Sequence, residues 1–165
     1  MAKYFISIAF LFVASTALAG DCSVTSYFSP YDNVEDVVVE HLSNAQTSIH
    51  CSLYGITNPN ITSTLIDKIG AGVEVSLCLD KTQSAGRYST HKKLEKAGAD
   101  VVIKKVAVLE HNKFCVIDGK EVIMGSWNFS GSAQKQDNSE VLLTGCQDTI
   151  DSFETAFQRI YDRDK

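Results

Sequence analysis

Glu110-His111-Asn112-Lys113-Phe114-Cys115-Val116-Ile117-Asp118-Gly119-Lys120-Glu121-Val122-Ile123-Met124-Gly125 is the stretch that decides the architecture of this chain. Residues 112–117 and 121–124 are short apolar runs, and the Asp118-Gly119 pair between them is a strong two-residue hairpin signal. An antiparallel strand pair is expected here. Upstream the pattern differs. Strand-like runs at 24–28, 47–54, 73–79 and 100–104 alternate with helical ones at 33–45, 59–71 and 90–97. Asn33 and Asn58 are placed to cap the first two helices, with Glu35 and Asp36 in the first turn of the first. Gly72 and Gly98 stop the second and third. The run 73–79 is largely apolar, as expected when both faces of a sheet are covered. Downstream, residues 139–144 give one more strand and 149–161 a last amphipathic helix. Such an order predicts an α/β fold, a mixed β-sheet flanked by helices on both faces.

A length of 165 residues suits a single domain. An apolar share of 44% with two prolines excludes a disordered chain. The first residues stand apart. Lys3 gives a positive start, residues 4–14 are almost unbroken apolar, and Ala17-Leu18-Ala19 is a small-x-small cleavage signal. That run is too short to span a membrane. Residues 1–19 are therefore expected to be a signal peptide cut after Ala19, and 20–165 the folded domain, secreted or periplasmic. Five cysteines follow: Cys22, Cys51, Cys78, Cys115 and Cys146. No C-x-x-C pair and no His/Cys cluster of zinc spacing occurs, so neither a metal nor another cofactor is expected. Cys51, Cys78 and Cys115 fall in apolar strand-like runs and read as small buried hydrophobes. Cys22 and Cys146 are the first pair to test for a disulfide, which export permits.

The net charge of −5 argues at first against a polyanionic substrate. Its distribution argues otherwise. Residues 20–80 hold Lys68 alone against eight acids. Residues 81–113 hold Lys81, Arg87, Lys92, Lys93, Lys96, Lys104, Lys105 and Lys113 against Glu95, Asp100 and Glu110. Lys81, His91, Lys92 and Lys93 are candidate nucleic-acid contacts, the alternative being a solvated helix face.

His111 and Lys113, two apart on a strand, leave the same face. An imidazole beside an ammonium suits a phosphodiester: the ring can attack phosphorus while the lysine counters charge on the non-bridging oxygens. Ser126 and Asn128 can add neutral hydrogen bonds to a phosphate, and Gly125 allows a close backbone approach. Glu140 offers a carboxylate that could accept from the imidazole and fix its tautomer. Asp118, at the hairpin turn, is expected to be structural. His41 and His50 read as packing or surface residues. Trp127 and Phe129 either stack on bases or pack in the core.

His111-x-Lys113, Asp118 and Gly125-Ser126-x-Asn128, trailed by Asn138-Ser139-Glu140, resemble the signature of the phospholipase D superfamily. Tyr27-Phe28-Ser29-Pro30, Leu53-Tyr54-Gly55-Ile56-Thr57 and Leu79-Asp80-Lys81 extend the likeness over nearly the whole mature chain, toward its small single-motif bacterial endonucleases of the Nuc type. The resemblance implies that family's nuclease-like fold, a covalent phosphohistidine on His111 formed without metal, and catalytic roles for His111, Lys113, Asn128 and Glu140. It implies phosphate binding by Ser126 and Lys113. It also implies a homodimer, because a second histidine must protonate the leaving oxygen and this chain has one motif. The expected function is a sequence-nonspecific endonuclease on DNA, with RNA also open. Two alternatives stand: a phospholipid hydrolase of the cardiolipin type, and a non-catalytic nucleic-acid-binding module. The basic stretch and the lack of an apolar docking helix in the mature chain favour nucleic acid over a membrane substrate.

Overall fold

The computed structural model describes residues 21–105 and 107–165. The expected signal peptide and its cut after Ala19 lie outside the described residues. Within them the strands β1 (Ser23–Ser29), β2 (Ser48–Leu53), β3 (Glu74–Leu79), β4 (Asp100–Ile103), β5 (Lys113–Ile117), β6 (Glu121–Gly125) and β7 (Asn138–Thr144) form one seven-stranded sheet. Its order is β1-β7-β6-β5-β2-β3-β4. β2, β3 and β4 are parallel, while β5, β6, β7 and β1 pair antiparallel in succession from β2 outward. The sheet is mixed, as expected.

Period-two alternation splits the core between the two faces. Cys115 and Ile117 of β5 join a cluster with Val38 and Leu42 of α1 (Val34–Asn44), Leu65 of α2 (Pro59–Gly70) and Leu94 of α4 (His91–Ala97). Phe114 and Val116 point the other way, onto Ile150, Phe157 and Tyr161 of α5 (Gln147–Asp164). Helices therefore cover both faces.

The local signals are realised unevenly. The Asn58 side chain accepts from the amides of Asn60 and Ile61 and caps α2, with Pro59 in its first turn. Asn33 precedes α1 but makes no cap bond; its amide donates to Asp36 instead. Gly98 closes α4 at φ 116°. Asp118 and Gly119 both take positive φ, 54° and 62°, as the tight turn between β5 and β6 requires. A further one-turn helix, α3 (Lys81–Ser84), is capped by Asp80, whose Oδ1 accepts from Thr82 and Gln83.

Cys22 and Cys146 are bonded, tying the start of β1 to the N-terminus of α5. The reading of Cys51 and Cys115 as separate buried thiols needs correction: they form a second disulfide. They are direct partners in the β2–β5 register. Cys78 is left as a free buried thiol, and burial pushes it up to about 12.

Candidate active site

The parallel strands β2, β3 and β4 all end at the edge of the sheet where β5 begins, and loops from there converge. β2 delivers Tyr54, β3 delivers Asp80 and α3, and the loop into β5 delivers Glu110, His111 and Lys113. Pairing of Leu53 with Lys113, and the Tyr54 amide donating to the Asn112 carbonyl at 2.8 Å, set Tyr54 against His111.

Their rings meet edge to face with centroids 4.7 Å apart. The imidazole is exposed, whereas Lys113 is buried beneath it. Lys113 Nζ donates to the His111 carbonyl at 2.7 Å, lies 3.4 Å from His111 Nδ1 and sits 5.4 Å from the Tyr54 ring centroid. Burial pushes the lysine below its ordinary pKa, against the charges of Glu110 and Glu140. Gln83 of α3 holds the Tyr54 hydroxyl at 2.8 Å.

Glu110 is 1% exposed, pairs with the buried Lys104 at 3.4 Å and accepts from the Asn112 amide at 3.1 Å. Its own amide donates to Asp80 Oδ2 at 3.4 Å. A buried ion pair thus braces the backbone on both sides of His111. Lys104, counted among the basic residues of the 81–113 stretch, is spent here and offers nothing to a substrate.

Glu140 is 1% exposed and lies opposite Gly125 in the β6–β7 register. Neither carboxylate oxygen has a hydrogen-bond partner of normal geometry among the described residues. Burial pushes it up to about 8, although the Trp127 amide and the Lys113 charge favour its ionised form. The expected bond from the His111 ring to Glu140 is not formed within one chain; the cation that Glu140 senses is Lys113. Gly125 does allow a close approach, but of β7 rather than of a ligand. A Cβ there would overlap Glu140 Oε2 and the Ser139 carbonyl, and stand 2.8 Å from Glu140 Cα.

Asn128 lines a hollow of about 210 Å³ with Tyr54, Gln83 and Gln136, its buried Oδ1 unpartnered. Ser126 is not brought to that hollow. Its hydroxyl accepts from the Ser139 amide at 3.0 Å and donates to Asn138, stapling β6 to β7. Asp118 lies at the opposite end of β5. It gathers the amides of Gln46, Thr47 and Ser48 and the Thr47 hydroxyl, which hold its carboxyl down at about 2. Trp127 and Phe129 are 0% and 1% exposed, so they pack in the core and do not stack on bases. His91 is buried with Nδ1 on Ser89 Oγ at 2.8 Å, while Lys81, Lys92 and Lys93 are exposed. His41 and His50 pair with Glu121 and Glu154, each at 2.7 Å, away from this edge. Among the described residues no three His, Cys, Asp or Glu side chains gather as a metal site.

The family described as "Cardiolipin synthase, PLD-like domain" matches residues 38–161. A phospholipase D of Rickettsia bellii is 32% identical over 130 residues, which cover 79% of this chain and 65% of that protein. The chain therefore spans a little under two thirds of that relative. Nuc, a phospholipase D family member from Salmonella typhimurium, superposes with a TM-score of 0.82 at 24% identity, covering 88% of this chain and 97% of that one. NucT from Helicobacter pylori gives 0.79 at 21%, covering 86% and 97%. At such identities the structural likeness speaks for the fold, and the family match over most of the chain speaks for descent. With that match, the chain belongs to the phospholipase D-like family.

Proposed function

We propose that this chain is an exported, metal-independent phosphodiesterase that cleaves nucleic acid, DNA by preference, as a homodimer. The observation that carries the reading is the exposed His111 imidazole with the Lys113 ammonium 3.4 Å from its Nδ1. Any phosphate that touches the ring meets a positive charge at once. Asn128, with its amide in the neighbouring hollow, adds a neutral donor to the phosphate, and the buried Glu140 carboxyl faces Lys113 from β7.

The chemistry takes two steps. A ring nitrogen of His111 attacks phosphorus; the N–P bond forms, the P–O bond to the leaving group breaks, and a second imidazole protonates that oxygen. The second imidazole, now neutral, takes a proton from water, whose oxygen displaces the His111 nitrogen. One chain has one such histidine at the site, so the second is His111 of an identical subunit across a two-fold axis. The exposure of the imidazole supports this arrangement. The two disulfides support export, since such bonds persist in oxidising compartments.

A second reading, phospholipid hydrolysis, is favoured by Val108 and Leu109, which are 62% and 57% exposed just before His111. The Rickettsia bellii relative, a phospholipase D, points the same way. No helix among the described residues is long and apolar enough to cross a membrane. Purified mature dimer incubated with plasmid in excess chelator is expected to degrade it. Release of phosphatidic acid from cardiolipin vesicles with plasmid left intact would favour the second reading. Activity lost in chelator and restored by magnesium would overturn the metal-independent mechanism.

A further inference from the structure

Helix α3 is a single turn that separates two hollows. Gln83 faces the one shared with Tyr54 and Asn128. Lys81 and Ser84 face another, of about 480 Å³, lined also by Arg87, Ser89, His91 and Lys92. We infer that this second hollow is a subsite for a further, unreacting phosphate of a polynucleotide whose scissile phosphate lies at His111. The inference rests on the nucleic-acid reading above and names how that substrate is told apart from a single diester.

Three cations line the hollow and no carboxylate does. None of the ion pairs among the described residues uses Lys81, Arg87 or Lys92, so no carboxylate neutralises them, although Arg87 also donates to the Tyr88 hydroxyl. Two polar walls are built into the fold. Ser84 is 8% exposed and its hydroxyl has no partner, a donor held ready beside the cations. His91 is equally buried, and its bond to Ser89 fixes the ring. An anion with several acceptor oxygens answers all these donors at once. At the rim, Tyr88 is 67% exposed with the Arg87 guanidinium 4.5 Å from its ring centroid, a face on which a base can stack. The two hollows are held in fixed relation, because Asp80 caps α3 through Oδ1 and receives the Glu110 amide on Oδ2. Lys93 does not line the hollow, so the subsite draws on His91 and Lys92 and not on α4 as a whole.

The test measures binding of a fluorescein-labelled single-stranded 12-mer DNA to full mature protein carrying His111→Asn, which separates binding from cleavage. Adding Lys81→Gln with Arg87→Gln is expected to weaken binding by about tenfold or more. The slope of log affinity against log salt should fall by about 0.7, the value for one phosphate on a single strand. Ser84→Ala is expected to weaken binding about threefold while the melting temperature stays level or rises, because a buried unpartnered hydroxyl is removed. In the cleaving protein, the ratio of kcat/KM for DNA to that for bis(4-nitrophenyl) phosphate should drop in both variants. Unchanged affinity and slope in the folded double variant would overturn the subsite and leave the phosphodiesterase reading standing. Should the double variant fail to fold, an unchanged affinity in Ser84→Ala overturns it instead. Wild-type protein that neither binds nor cuts DNA would overturn both.

Discussion

Gly125 and Glu140 stand opposite each other on β6 and β7 so closely that glycine is the one residue the carboxylate tolerates there. Gly125→Ala would force a methyl into Glu140 Oε2 and the Ser139 backbone, which cannot both retreat. We expect a loss of about 3 kcal/mol in urea unfolding. Turnover should fall as well, through displacement of the group that faces Lys113. A variant as stable as the parent would mean that β7 moves aside freely.

Glu140 ties stability to pH. Its folded pKa lies near 8 against an ordinary value near 4.5, so between these limits the unfolded chain releases a proton that the folded chain keeps. Stability from this residue therefore falls as pH rises from about 4.5 to about 8. Lys113, shifted downward, acts in the opposite sense at higher pH. Glu140→Gln is expected to flatten the decline in melting temperature across that window. The same decline in parent and variant would assign it to other groups.

Asp118 acts at the other end of β5. Four donors around its carboxyl hold the chain entering β2 against the β5–β6 turn. Asp118→Ala should cost about 1–3 kcal/mol at neutral pH, read by denaturant unfolding. With its folded pKa near 2 and an ordinary value of 3.8, the contribution is present above the latter and is lost as pH falls through the former. The gap between parent and variant should therefore close in strong acid, while kcat of the folded variant at neutral pH stays close to that of the parent.

His111→Ala should abolish cleavage of plasmid with the fold and the dimer intact, since the ring is exposed and, among the described residues, meets one aromatic ring, that of Tyr54. Lys113→Ala is expected to lower kcat by about 10²–10³-fold, the range for removing one preorganised donor of charge. Size-exclusion chromatography and circular dichroism accompany both rate measurements. Normal degradation by His111→Ala would remove the imidazole from the mechanism.

Titration of unfolded, unreduced mature protein with a thiol reagent should find one thiol per chain, Cys78. Cys51→Ser with Cys115→Ser should lower stability by about 4 kcal/mol, as the chain-entropy relation gives for a closed loop of 64 residues. Three reactive thiols in the parent would mean that one of the two bridges is not formed.

The fold was largely legible because its signals are local: apolar runs of strand length, Asn58 before Pro59, Gly98 after a helix, Asp118-Gly119 between two strands. What escaped is made by pairing over distance. Cys51 and Cys115 look like any thiol in an apolar run until the β2–β5 register sets them face to face. Tyr54 carries no polar pattern that would place it at the site, and the same register brings it to His111. Ser126 sits two residues from Asn128 in the chain, yet its hydroxyl closes on Ser139, because β6 ends at Gly125 and the chain bends at Ser126, so the same-face rule of a strand no longer holds. Lys104 counted as a surface cation because charge statistics do not see burial; Glu110 claims it.

The bridge between Cys51 and Cys115 lies three positions before Tyr54 and two after Lys113. It clamps the two strands that present ring and ammonium, so these cannot drift past one another while the covalent link holds. Damage elsewhere in the sheet should then show itself as an abrupt thermal collapse, with surviving molecules working at full rate, and not as a slow erosion of turnover.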